Sequence, residues 1–534
     1  VRSAFQATLR GETDAFVTKI DRTGQQIAYS TYLGGEVGLS PDGIPGSRGG
    51  DETGLVIAVD RYGAATVAGR TNSTDLPTLH PAQPHLGGPQ HPSRFLFTTD
   101  AFVARFEAAG APSYITYAGG NSDDTPTAIA LDGSGLAWLT GTTESGDFPS
   151  VGARQPNFGD RLVFSSADGG GTWQAAGGGV GHRDVLAVAV NPIDPAVIYA
   201  GTFGGGVFKT VNGGSTWAAA NSGLANLFVQ ALVVDPSNPS RVFAGTDGGG
   251  VFKSVDGGAH WTLTLGPAGL PVTTLAIAPS NHSIMYAGAA ARGFGRVFAS
   301  VDGGDTWNSG TATDLVNALT VDPLTPTTIY VGMPFGTFKS TDGGATFSLN
   351  TFPSGVTALA VDPVTPSTVY AGADSGLFKS TDGGATFTFR GTGLLGTAAA
   401  LAVNPSSPLT VYAGTNNGVF KTTDGATTWT RATTGITSPI VNALTILPSN
   451  PDKLYAGTFG TTDTFVLAIR PNGAFRYSSF HGGNGEEVGG GIAIGKQQRI
   501  YVSGGTSSTD FLTVAPIQPA PGGFGDAFVT IMSQ

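Results

Sequence analysis

The sequence predicts an all-β fold: a seven-bladed β-propeller of four-stranded antiparallel blades, nested within a second, partial β-propeller-like repeat module. Three observations predict it. Glycine supplies 82 of 534 residues, beside 33 Pro, about twice its usual share. Collagen would need Gly at every third position, and a disordered chain would not carry 40% hydrophobic residues with 31 Phe, 13 Tyr and 6 Trp. A chain of short strands and frequent turns remains. The second observation is an octet, SADGGGTW at Ser166–Trp173, that returns from Thr210, Ser254, Ser300, Ser340, Ser380 and Thr422. The third is a strand pair between the octets, as in ALVVDPSNPSRVFAG from Ala231, ALAVDPVTPSTVYAG from Ala358 and ALAVNPSSPLTVYAG from Ala400.

Taken in chain order, residues 1–160 carry one repeat. DAFVTKIDRTGQQIAYSTYLGG from Asp14 is echoed by DAFVARFEAAGAPSYITYAGG from Asp100 and, far downstream, by DTFVLAIRPNGAFRYSSFHGG from Asp463. A strand pair follows each, as from Ala128 and Gly491, and Gln6, Gln83, Gln155 and Gln518 each precede a DAFV-like strand or its expected place. After Gln155 the repeat breaks off and resumes at Asp463, so residues 161–460 form a module inserted into a loop of another, made of 1–160 and 461–534. Such insertion is tolerated where the termini of the inserted ring lie together.

Within 161–460 the acid of the octet falls at Asp168, Asn212, Asp256, Asp302, Asp342, Asp382 and Asp424, in steps of 44, 44, 46, 40, 40 and 42 residues. That is the period of a four-stranded blade. Each unit reads as an apolar strand, a Pro-rich turn, a second strand ending in small residues, a third of the type GVFKS, the octet, and a fourth strand from its aromatic. The first octet lacks a preceding strand pair, and the last pair, Ala443–Gly457, lacks a following octet. Joined, they make the seventh blade and close the ring, which removes open sheet edges. The outer module shows three strand pairs and a last strand, Asp526–Ser533.

The octet resembles the Asp-box, or BNR, repeat, and the flanking repeat resembles the SBBP repeat of bacterial extracellular β-propellers, over roughly 1–160 and 461–534. The first resemblance implies a folding element: paired glycines at positive φ, an acid accepting backbone N–H bonds, and an aromatic packed between sheets. Similar repeats occur in sialidases, xyloglucanases, sortilin-type receptors and a photosystem assembly factor. The second implies an exported bacterial protein, extracellular or at the cell surface.

Composition narrows the chemistry. The net charge of -11 with scattered acids argues against nucleic acid and anionic membrane. No apolar run approaches a membrane span. Zero Cys excludes disulfides and thiolate-held metals, and the His spacing fits no metal motif. Paired acids at Asp51–Glu52, Asp123–Asp124 and Glu486–Glu487 allow Ca²⁺ through oxygen ligands, but solvated turn acids are the favoured reading and no cofactor is expected.

The loop between second and third strands varies most among copies. It offers Phe203, Asp247, Arg292, Phe294, Pro334 with Phe335, Asp374, Asn416 with Asn417, and Phe459, joined on the same face by connections with His182, Arg183, Asn226, Asp314 and Leu395. This mixed aromatic and polar face suits a glycan, peptide or protein loop. A sialidase needs a Tyr–Glu pair, and 161–460 holds no Glu. An inverting pair of Asp carboxylates, as in xyloglucanases, keeps Asp247, Asp314 or Asp374 as the alternative. The reading is therefore a non-enzymatic scaffold for binding or self-assembly. The strand Asp526–Ser533 is expected either to mark a cut in a longer chain or to complete a neighbour's sheet, which would propagate as a filament.

Overall fold

The computed structural model describes residues 2–36, 50–87, 99–120, 122–153, 163–180, 184–291, 294–313, 315–351, 355–436, 438, 440–460, 462–483, 485–495, 499–508, 511, 518 and 525–532. Every regular element among them is a β-strand. The chain divides into two compact units, Val1–Asp160 with Thr461–Gln534, and Arg161–Gly460.

The inner unit holds seven four-stranded antiparallel sheets. Blade 1 shows the pattern: Val185–Val190, Ile198–Thr202, Gly206–Thr210 and Ala218–Ala219. The first strand alternates buried with half-buried residues, the second is buried throughout, and the two-residue fourth strand is exposed. That gradient reports a strand facing the centre, a strand wedged between neighbouring sheets, and a rim. Blades 2 to 6 begin at Val229, Val272, Ala318, Val356 and Ala398. Blade 7 joins Val441–Leu447 and Asn450–Thr458 to Val163–Ser166 and Gln174–Ala175 from the other end of the unit. Each first strand touches the next one round, and that of blade 7 touches that of blade 1. The ring is closed.

The second strands carry one large buried ring per blade: Tyr199, Phe243, Tyr286, Tyr330, Tyr370, Tyr412 and Tyr455. Small residues follow because there is no room for a side chain. A Cβ on Gly201 would lie 2.7 Å from Val229 of the next blade, and one on Gly457 would lie 2.5 Å from Val185.

The octet turns need positive φ at two successive positions, met by Gly169 and Gly170 (65° and 81°) and their counterparts. The seventh copy, TTDGATTW, places Ala426 there at φ 72° with its methyl fully buried. The left-handed conformation costs a non-glycine residue ~1–2 kcal/mol, and the buried methyl offsets roughly 0.8 kcal/mol of that. Ala426→Gly is therefore expected to stabilise the inner unit by about 0.5–1 kcal/mol, read as a higher urea midpoint at unchanged m-value.

The outer unit holds a two-stranded sheet (Ala15–Ile20, Ile27–Leu33) and two four-stranded sheets. The first of these runs Glu52–Val59, Ala65–Thr71, Asp100–Phe106, Pro112–Ala118, and the second Asp124–Leu131, Ala137–Thr143, Asp463–Ile469, Phe475–His481. The inner unit is thus inserted between the second and third strands of one outer blade. The last sheet is three-stranded: Glu487–Ile494, Ile500–Thr506 and Asp526–Met532. The terminal strand is not left over. It pairs with Ile500–Thr506 of its own chain, as the DAFV-type strands Asp100–Phe106 and Asp463–Ile469 pair with the second strand of the pair before them. Ser533 lies outside the described residues.

Candidate functional site

In the octet of blade 7, Ser166 Oγ donates to Asp168 Oδ1 (2.8 Å) and accepts from Gly170 N (2.9 Å), while Thr172 donates from both its N (2.8 Å) and its hydroxyl (2.6 Å) to the same carboxylate. Asp256, Asp302, Asp342, Asp382 and Asp424 are held alike by Ser254, Ser300, Ser340, Ser380 and Thr422. Asn212 does the same as a neutral amide, accepting from Thr216 N and donating back to its hydroxyl. Hydrogen bonds from the threonine hydroxyl and then the backbone hold Asp168 and Asp342 down at about 2. These carboxylates are acceptors committed to their own turn, and no proton-transfer role is open to them at neutral pH.

The octets also clasp one blade to the next. Trp173, Trp217, Trp261 and Trp429 donate their indole N–H to Ala432, Ala176, Ala220 and Arg390 carbonyls of the preceding blade, at 2.8, 2.5, 2.7 and 2.9 Å. In return the Lys of the third strand reaches the glycine carbonyl of the next octet. Lys209, Lys253, Lys339, Lys379 and Lys421 meet Gly257, Gly303, Gly383, Gly425 and Gly169 at 2.7–2.9 Å. Each of these ammonium groups also lies 5.3–5.6 Å from the second-strand ring of its own blade, within cation–π range. The repeated Lys and Tyr were visible in GVFKS and VYAG, but only the folded ring shows that they face the neighbouring octet.

On the opposite face the variable loops divide into two kinds. Phe203 is half-buried, with its ring 4.9 Å from Phe228 at 74° and its backbone bridged to that residue. Phe459 is half-buried, bridged to Asp184. Asp247 is 1% exposed, which corrects its expected place on an open binding surface; its backbone is tied to Phe228 and Asn226. These three seal blade junctions. Phe335 (69% exposed) and Leu395 (60%) stand free of the core. Asp374 and Asn416 are exposed on blades 5 and 6, where Asn416 Oδ1 accepts from Thr397 N (3.1 Å). Arg292, His182, Arg183 and Asp314 lie outside the described residues, as does the side chain of Phe294. Among the described residues of this face, the exposed candidates thus lie on blades 4 to 6. Of the hydrolase candidates, Asp247 is enclosed and Asp374 is open, so the two do not form an accessible pair.

The outer unit holds a feature that sequence reasoning misjudged. Glu52, Asp124 and Glu487 are not solvated turn acids: they are 2%, 0% and 0% exposed. Strand alternation turns the first acid of each pair outward, where Asp51 accepts from Thr13 Oγ1 and Asp123 from Thr99 N, both at 2.8 Å. The second acid turns inward, towards the Asp that opens the DAFV strand. Gln6 Nε2 donates to Asp14 (2.5 Å) and Gln83 Nε2 to Asp100 (3.1 Å), with Gly35 N on Glu52 (3.1 Å) and Gly120 N on Asp124 (2.8 Å). Burial raises Glu52 to about 7. Burial, then the neighbouring Asp124, pushes Asp100 well up, and burial raises Asp124 to about 8. Glu487 is raised by burial too. In each pair two carboxyl groups are thus enclosed together, and it is burial that raises Glu52, Asp124 and Glu487. Among the described residues no three Asp, Glu or His side chains converge on a point where a metal would sit. The signal was present in the fixed Gln–DAFV–acid order, but it needed the inward turn to be legible.

An open depression lies in the outer unit, between the turns at Asp132–Leu136 and Arg470–Arg476.

No family model matches the chain, and no curated protein matches it. Solved structures are similar in fold. They include an ancestral GH74 enzyme (18% identity, TM-score 0.47, 64% of this chain and 53% of that one) and a GH74 enzyme from Niastella koreensis (20%, 0.42, 65% and 59%). YCF48 from Cyanidioschyzon merolae is a third (15%, 0.37, 52% and 95%). The match spans less than two thirds of either GH74 enzyme. These likenesses concern β-propeller architecture alone.

Proposed function

We propose that the chain is a non-catalytic binding scaffold, exported to the bacterial surface, whose inner propeller presents the exposed residues of blades 4 to 6 to a glycan or a protein loop. The observation that supports it is the division of labour among the polar side chains. The octet acids are spent on their own turns, while Phe335, Asp374, Leu395 and Asn416 are exposed on a closed ring. An exposed aromatic on the same face as exposed amide and carboxylate groups suits sugar rings or peptide groups. The bonding of the octet supports reading it as an Asp-box turn, and the buried Gln–Asp–acid order supports one shared repeat in the flanks.

The test is calorimetric titration with β-glucan oligosaccharides and loop peptides. Phe335→Ala combined with Asn416→Ala is expected to weaken binding about 10- to 100-fold, as loss of a central aromatic contact does, with the melting temperature unchanged. Reducing-sugar release that vanishes in Asp374→Ala would overturn the scaffold reading in favour of a glycoside hydrolase.

A further inference from the structure

The depression in the outer unit has a volume of about 430 Å³, within the range of small-molecule sites. Asp132, Ser134 and Leu136 line it from one side, and Arg470, Pro471 and Arg476 from the other. All belong to the two hairpins of one complete four-stranded sheet, Asp124–Leu131 with Ala137–Thr143 and Asp463–Ile469 with Phe475–His481. Arg470 and Arg476 are exposed, and neither guanidinium makes a hydrogen bond or ion pair among the described residues.

Both arginines depart from the repeat that builds their hairpin. Arg470 follows Ile469, where Asp21 follows Ile20 and Glu107 follows Phe106 in the other copies. Arg476 is the unpaired residue of a bulge, between the pairs Ala468–Tyr477 and Ile469–Phe475. Ser113 holds that bulge position between Arg105–Tyr114 and Phe106–Pro112, and Ala28 holds it between Lys19–Tyr29 and Ile20–Ile27. An acid has thus become a cation, and a small residue has become a second one, at a position where a bulge re-aims the side chain. The hairpin itself needs neither change, since two copies form it without them.

A third guanidinium stands behind these turns. Lys19 reaches the two turns of the blade after its own and donates to Gly63 O (3.4 Å) and Ala108 O (2.9 Å). Its counterpart Arg105 takes the same course, and comes within 3.9 Å of where a Cβ on Gly135 would stand. It donates through Nη2 to Asp60 (2.6 Å), however, and its buried Nη1 has no hydrogen-bond partner. Arg105 is 7% exposed. Asp132 spends Oδ1 on its own turn, accepting from Ser134 N, Ser134 Oγ and Leu136 N. The groups left to meet a ligand are guanidinium donors beside the apolar Leu136 and Pro471. We propose that the depression binds an oxyanion, a carboxylate or phosphate carried on a sugar-sized body. Arg470 and Arg476 take the oxyanion by charge-assisted hydrogen bonds, and Leu136 and Pro471 take the body. The site lies in the outer unit and is independent of the face on blades 4 to 6.

The test is titration of the whole chain, followed by NMR or calorimetry, with glucuronate, glucose 6-phosphate and uncharged glucose. The two anionic sugars are expected to bind with dissociation constants of about 1 mM or below, more weakly as salt rises, and glucose is not. The tighter of the two anions identifies the oxyanion preferred. Arg470→Glu combined with Arg476→Ser installs the residues of the Asp100 copy, Glu107 and Ser113, so the hairpin should keep its fold and its melting temperature. Binding of both anions should fall at least about 10-fold, as loss of a hydrogen bond to a charged group does. The proposal fails if neither anion binds below about 10 mM, or if glucose binds as tightly as they do. It also fails if the double variant, folded, binds them as the parent chain does.

Discussion

Trp261→Ala is expected to cost the inner unit ~3–5 kcal/mol, the range for removing a buried aromatic. Trp261 is 2% exposed in a cluster with Tyr199, Val229 and Phe252. Its indole N–H also ties blade 2 to Ala220 of blade 1. The loss is therefore more than a cavity, because it leaves the Ala220 carbonyl without its donor at a seam. Trp307 supplies the control. It is buried in the same octet position, but its Nε1 has no partner. Trp261→Phe should cost about 1 kcal/mol more than Trp307→Phe, the worth of one ordinary hydrogen bond. Urea midpoints of the two variants measure the difference, and equal values would show that packing alone holds the seams.

The two units are expected to respond to pH with opposite sign. In the outer unit the buried carboxyls are raised, so the folded state binds protons that the unfolded chain releases. Their contribution is complete below the ordinary carboxylate range and is lost as pH rises through about 7 for Glu52 and about 8 for Asp124. For Glu52, a rise from 4.5 to about 7 corresponds to about 3 kcal/mol between mildly acid and alkaline solution. The octet acids are depressed instead, with Asp168 and Asp342 at about 2. Their contribution is present above the ordinary value near 3.8 and is lost as pH falls through about 2. Calorimetry should thus show the outer unit's transition falling between pH 5 and 9 while the inner unit's stays level, and the reverse between pH 5 and 2. Glu52→Gln, which replaces the carboxyl by a neutral amide of similar shape, should flatten the alkaline fall.

These two expectations draw on different depths of reading. The octets were legible as turns, since Asp, Gly-Gly and a terminal aromatic at a period of 40–46 residues leave few other geometries. The ring closure was legible from the phase of the repeat, and blade 7 is built from both ends of the inner unit. The acid pairs were legible as a pattern and misjudged as surface. Two adjacent acids in a glycine-rich turn look solvated until strand alternation sends one of them inward. Asp247 was misplaced for a similar reason: a polar residue in a variable loop reads as exposed, yet the loop folds back onto Phe228.

By itself the sequence determined the strands, the turns, the count of inner blades and the point of insertion, because each is written in local periodicity that repeats within the chain. Only the tertiary structure decided which side chains meet: lysine on the next blade's glycine carbonyl, indole on the previous blade's rim, and acid against acid in the outer unit. Those pairings join residues from different blades. The sequence spacing of such partners carries no local signal, and it takes the folded sheets to reveal which partner is present.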